Sequence, residues 1–167
     1  MYMYNVMIRY DLTVRTFEIA LYIVDSYIKE VDISDYRILI LTAYQIAGML
    51  IEFNQPMIDD WLYSDEWVFL MDASEVSDKI ICLMKRILDR LKFKIDIPTI
   101  SLFIQYRLNH NDRVETVWAI WKKIMFTPAI FSISIDRLAD MIYYWTRLIE
   151  LKIESPIDLT LLKGYIK

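Results

Sequence analysis

Apolar residues recur along this chain at intervals of three and four, the period of an α-helix. Val14, Phe17, Leu21, Val24, Ile28 and Val31 fall on one such stripe, which predicts a helix over residues 13–30 with Thr13 as its N-cap. The longest uncharged run, Ile38 to Ile51, is fourteen residues long and has Gln45 inside it. It predicts a second helix from about Ser34 or Asp35 to Glu52. A helix that is apolar on nearly every side is one surrounded by other helices. Ala43, Ala47 and Gly48 form a strip of small side chains that lets a neighbour approach closely. A membrane span needs roughly 20 apolar residues, so this run reads as the centre of a core.

The helical pattern continues on both sides. Residues 1–9 form a short first helix. Pro56 suits the first turn of a helix over about 56–70, with Asp59 and Asp60 favouring its N-terminal end. Asp72-Ala-Ser-Glu75 has the form of a capping box, and Val76, Ile80, Leu83, Ile87 and Leu91 follow on one stripe. This helix ends before Phe93, and Ile97 is biased to extended structure by Pro98. Thr99 opens a helix that turns Ile100, Phe103, Ile104 and Leu108 inward. Asn109-His-Asn-Asp112 is a polar break. Further helices are predicted over 114–126, 135–151 and 157–166, separated by Thr127-Pro128 and Ser155-Pro156. Nine helical segments and no convincing strand make an all-α protein, and no linker rich in Gly, Ser or Pro marks a flexible joint.

Composition removes several function classes. With 56% apolar and 25% charged residues the chain can bury a sizeable core and is not intrinsically disordered. Two glycines are too few for the tight turns of a β-sandwich, or for the glycine loops of Rossmann and P-loop nucleotide sites. One Cys and one His exclude an internal disulfide and the usual structural zinc sets. The net charge of −4 disfavours nucleic-acid binding, which draws most of its affinity from a basic surplus. The first nine residues lack a basic leader and a small-residue cleavage site, so no signal peptide is read there. The expectation is an intracellular protein of a reducing compartment, in the cytoplasm, the nucleus or both, with no membrane association.

Catalytic chemistry finds no set of residues to work with. His110 sits alone in a polar loop, and Cys82, beside the apolar stripe of its helix, reads as a small core residue. Asp59-Asp60 and Asp65-Glu66 are adjacent pairs that diverge by about 100° on a helix and do not converge on one proton or metal. Lys85-Arg86 and Lys122-Lys123 are isolated doublets. Trp61, Trp67, Trp118, Trp121 and Trp145 read as core or interface anchors. No enzyme, cofactor or metal site is expected. From residue chemistry alone the chain is an α-helical interaction domain.

Several strings, taken in order, resemble the cyclins. Arg90-Leu-Lys-Phe-Lys-Ile-Asp-Ile-Pro-Thr-Ile-Ser-Leu-Phe103 looks like the Leu-x-Phe, short link, Pro-Thr element that joins the two helical boxes of that family. Phe17 to Ile28, with Asp25 inside, is similar to the second cyclin helix. Thr42 to Glu52 resembles the central third helix. Arg113-Val-Glu115 and Lys163-Gly-Tyr165 look like parts of the second box. The resemblance implies a cyclin-like fold of two tandem boxes, residues 1–96 and a second, incomplete one over 97–167. The first helix looks shortened and lacks the substrate-docking string of the family. The trimmed outline, with abundant Ile, Tyr, Asp and Lys, points to a viral or parasite source.

The resemblance also implies a function. Cyclins are non-catalytic proteins that bind and allosterically regulate cyclin-dependent protein kinases, using a Lys at the end of the third helix and a Glu in the fifth. The matching positions here are Met49 and Met84. By matching position the partner-binding surface comprises Met49, Leu50, Glu52, Met84, Leu88, Phe93 and Ile95, of which Leu50, Leu88 and Phe93 also suit an ordinary core. Losing both charges together avoids a stranded ion. The face therefore either binds a kinase by packing or serves a cyclin-fold scaffold for a non-kinase partner or a second copy. A relation to two-box transcription factors is the third reading, disfavoured by the acidic balance. The register places the two methionines near each other on one surface.

Overall fold

The computed structural model describes residues 2–54, 56–62, 72–95, 97–108, 114–125, 127 and 132–150. Among them there is no strand. Eight α-helices follow in order: α1 (Tyr2–Arg9), α2 (Val14–Tyr27), α3 (Tyr36–Ile51), α4 (Ile58–Leu62), α5 (Ala73–Arg90), α6 (Ile100–Arg107), α7 (Val114–Ile124) and α8 (Ile135–Glu150). Short 3-10 turns at Ile28–Glu30 and Ile33–Asp35 link α2 to α3. The Asn109–Asp112 break, most of the helix expected after Leu62, and the segment 157–166 lie outside the described residues. The chain divides into two compact units, Met1–Ile97 and Pro98–Lys167.

The first unit is built around α3. Every residue from Leu41 to Gly48 is buried, because helices lie on all sides of it. It packs against α2 and α5. The phenol of Tyr44, 1% exposed, donates to the Met3 carbonyl of α1 at 2.5 Å, and its burial pushes the phenol pKa far above the ordinary value. On another side the Trp61 indole N–H of α4 donates to Gln45 Oε1 at 3.0 Å, both groups buried. Gln45, the amide inside the uncharged run, is thus where α4 is pinned. The rings of Tyr10 and Tyr44 flank Trp61 at 4.3 and 6.1 Å between centroids. Each fully buried Ile, Leu or Phe here contributes roughly 1.5–3 kcal/mol.

The helix starts follow the sequence at two of three predicted caps. Thr13 caps α2 by accepting from Thr16 N, and Thr99 caps α6 by accepting from Leu102 N, each at 3.3 Å. Asp72 is the N-cap residue of α5, but its side chain makes no capping hydrogen bond; an exposed helix start is satisfied by water instead. Asp60 closes the start of α4 by accepting from Met57 N at 2.7 Å.

The helix ends are less orthodox. A helix commonly stops at a glycine in the left-handed conformation. This chain stops α1 at Asp11 (φ 50°) and α5 at Lys92 (φ 51°). Both ends close the same pair of bonds. At α1, Leu12 N donates to Met7 O at 2.9 Å and Asp11 N to Ile8 O at 3.3 Å. At α5, Phe93 N donates to Leu88 O at 3.0 Å and Lys92 N to Asp89 O at 3.1 Å. These are Schellman motifs made without glycine, each left-handed residue costing on the order of 1–2 kcal/mol. At α1 the cost is offset by burial of Met7 and Leu12. At α5 the next residue, Phe93, is left-handed as well (φ 56°).

The α5 stripe is buried as expected at Val76, Ile80, Leu83 and Ile87. The α2 stripe is not. The buried arc holds Thr16, Phe17, Ile19, Ala20, Ile23, Val24 and Tyr27, and Val14, Leu21 and Ile28 sit at its edge, half-buried. The reason is that α2 contacts both α1 and α3, which takes a wider arc than one stripe. In the second unit α8 packs against α6 and α7 over Ile104, Val117, Ile120, Ile124, Leu138 and Ile142, all buried.

Candidate partner-binding face

All seven residues nominated from sequence belong to the first unit. Met49 and Leu50 occupy the last turn of α3 and are 57% and 52% exposed. This is where α3 leaves the core, since the residues before Met49 are enclosed and those after it are not. Phe53 and Met57, just beyond, are 99% and 62% exposed. These two were not nominated. Nothing in the sequence separates an exposed apolar residue from a buried one outside a periodic element.

Met84 and Leu88 stand one turn apart on α5 and are half-buried. With Ile81, which is exposed, they form a second apolar edge beside the buried stripe. The apolar arc of α5 is therefore wider than its core contact requires. Helices α3 and α5 pack directly on each other, so one pair of elements carries both methionines. Phe93 lies mostly exposed just past the end of α5, and the Schellman motif ties its backbone to that of Leu88. Ile95 is 4% exposed and belongs to the core beneath.

Glu52 serves the fold. Its Oε1 accepts from the backbone N–H of Thr13 at 2.7 Å and from the Thr16 hydroxyl. A carboxylate at the start of α2 meets unpaired N–H groups and the positive end of the helix dipole. The end of α3 is thereby locked to the start of α2.

The opposite side of α5 carries polar chemistry. A cleft of about 280 Å³ is lined by Glu30, Asp32, Asp35, Lys79, Cys82 and Arg86, with apolar Val31, Ile38 and Leu83. Lys79 pairs with Asp35 at 3.7 Å. Arg90 pairs with Glu30 and lies over the Tyr27 ring, 5.2 Å from its centroid. Cys82 is exposed, which corrects its reading as a core residue. It falls one turn from Arg86 on the polar arc of α5. Among the described residues no group of three His, Cys, Asp or Glu side chains could hold a metal ion, and no helix is long and apolar enough to cross a membrane.

Fold and face together define an all-α bundle with one enclosed central helix and an apolar surface at its exit. The family model of the cyclin N-terminal domain matches residues 1–96, more than half of the chain, and the chain belongs to the cyclin family. The members of that family are regulatory and non-catalytic. No curated protein and no solved structure matches the chain.

Proposed function

We propose that this cyclin-family protein is a non-catalytic regulatory subunit that binds a cyclin-dependent or related protein kinase inside the cell. The observation that carries the reading is the exposure of Met49 and Leu50 on the last turn of α3, the position at which the family meets its kinase. Met84, Leu88 and Phe93 extend the surface along α5, while Glu52 and Ile95 support it from within. Residues 1–96 act as the first cyclin box and 97–167 as a second.

The mechanism is allosteric. The face docks on the kinase's regulatory helix and holds it inward, so that the glutamate of that helix pairs with the ATP-site lysine. The chain supplies no reacting group. With methionine at both family-charged positions, affinity comes from packing rather than from a buried ion pair, an exchange that is often near neutral in energy. The same two methionines favour the second reading, a cyclin-fold scaffold for a non-kinase partner or a second copy, because methionine surfaces adapt to varied shapes.

The test is affinity capture on the full chain from cell lysate, scored for protein kinases, beside a Met49→Lys, Leu50→Lys variant. Kinases held by the wild type and lost by the variant support the regulator. Capture of non-kinase proteins alone, by the same face, replaces it with the scaffold.

A further inference from the structure

The C-terminal part of α5 and the turn after it concentrate positive charge. Lys85, Arg86, Arg90, Lys92 and Lys94 are all exposed, and the one carboxylate among residues 85–94 is Asp89. That is a surplus of four positive charges in a chain of net charge −4, so the remaining residues together carry −8. One of the five cations is paired internally, Arg90 with Glu30, and Arg86 lines the polar cleft. Lys85, Lys92 and Lys94 have no ion-pair partner among the described residues. Lys92 and Lys94 flank Phe93 in the chain and Lys85 stands two turns earlier on α5; Phe93 is 69% exposed and held in the left-handed conformation next to Lys92.

Helix-dipole stabilisation accounts for a cation in the last turn, such as Arg90. It does not account for Lys85, more than a turn upstream, nor for an exposed aromatic on a strained backbone. An exposed apolar residue flanked by unpaired cations is the build of an interface whose rim steers an oppositely charged partner. We propose that this end of α5 docks a short acidic segment of a partner protein, with Phe93 as the apolar anchor and Lys85, Lys92 and Lys94 as the charge-reading rim. The proposal rests on the partner-binding reading for the place of the face and adds the chemistry of what it selects. The −8 carried by the rest of the chain argues for a short segment. An extended polyanion such as a nucleic acid would run past the patch and meet repulsion.

The probe is a fluorescein-labelled peptide with four glutamates on either side of a Leu-Phe pair, titrated with the full chain by anisotropy at about 50 mM and about 300 mM salt. The expected result is binding that weakens with salt. Affinity should fall at least about tenfold in a Lys85→Glu, Lys92→Glu, Lys94→Glu variant and about fivefold in Phe93→Ala. It should hold within about twofold in a Lys122→Glu, Lys123→Glu control. A triple Lys→Gln variant, with circular dichroism on every protein, supplies the same comparison should charge reversal unfold the chain. Equal affinity for wild type and both lysine variants overturns the proposal. So does tighter binding of a single-stranded oligonucleotide of matched charge, or a dimer seen by sedimentation that the lysine variants abolish. Kinase capture that survives the lysine variants leaves the kinase reading standing and sinks this one. Peptide binding without kinase capture does the reverse.

Discussion

Replacing Gln45 by leucine keeps the side chain's bulk and removes the acceptor on which α4 is pinned. The Trp61 indole N–H, 3.0 Å from Gln45 Oε1 in a site where Trp61 is 1% exposed, is then left with neither protein nor water. Stranding one buried donor costs about 1–3 kcal/mol. Trp61→Phe strands the amide of Gln45 instead, at a similar cost, and adds about 1–2 kcal/mol for the unfilled volume of the pyrrole ring. The double variant removes both unpaired groups. Its loss should fall short of the sum of the singles by about 1–2 kcal/mol, because two apolar surfaces now face each other. Urea unfolding of the full chain, followed by far-ultraviolet dichroism, measures all three. For a unit of this size each kcal/mol also moves the melting temperature by roughly 4–8 °C. Strict additivity, or a Gln45→Leu cost below about 0.5 kcal/mol, would refute the pinning argument.

Lys92→Gly should stabilise the protein by about 1 kcal/mol, since the left-handed C′ position of α5 costs glycine nothing; a destabilisation in thermal melts would show that the Lys92 side chain is needed there. Tyr44→Phe should cost about 1–2 kcal/mol by removing the α1–α3 bond to the Met3 carbonyl, read by urea unfolding, and a neutral result would contradict the bond. The Asp136 carboxyl is held below its ordinary 3.8 by the Ser134 hydroxyl and then the Arg137 backbone N–H. A depressed folded pKa contributes stability that is present above the unfolded value and lost as pH falls through the folded one. Asp136→Asn should therefore lower the melting temperature at neutral pH and flatten its decline as pH falls below about 4, where the wild type loses the same contribution.

What could be read in the sequence depended on how local its cause is. Fourteen uncharged residues force α3 into the centre whatever the topology, and a hydroxyl one residue before a helix, as at Thr13 and Thr99, announces its own bond. The stops were harder. With glycine absent from both Schellman ends, Asp11 and Lys92 carry no mark of the conformation they adopt. The α2 face was misread because its burial is set by two neighbours at once. The Gln45–Trp61 and Glu52–Thr13 bonds join residues 16 and 39 apart, and nothing in either string announces its mate. The proposed partner-binding face is the extreme case. Met49 and Leu50 belong to the same apolar run as the core, so resemblance alone nominated them, and their exposure is a property of where α3 ends.

That end is a constructed feature. Glu52 follows the last turn of α3, and its carboxylate is spent on the start of α2. Were the turn free to fray, Met49 and Leu50 would have to be ordered on binding, at about 0.5–1.5 kcal/mol for each side chain immobilised. Anchored as it is, the turn presents both side chains from a backbone already fixed on α2 and α3. The α5 side differs in kind. Phe93 is held out by consecutive left-handed residues, so its presentation draws on backbone strain, and a partner that covers it recovers apolar contact that the isolated chain lacks. The two proposed contact regions thus place different demands on a ligand. The end of α3 rewards shape alone, while the end of α5, flanked by lysines, also rewards negative charge. On the proposed reading, a partner that engages both brings an apolar surface with an acidic margin.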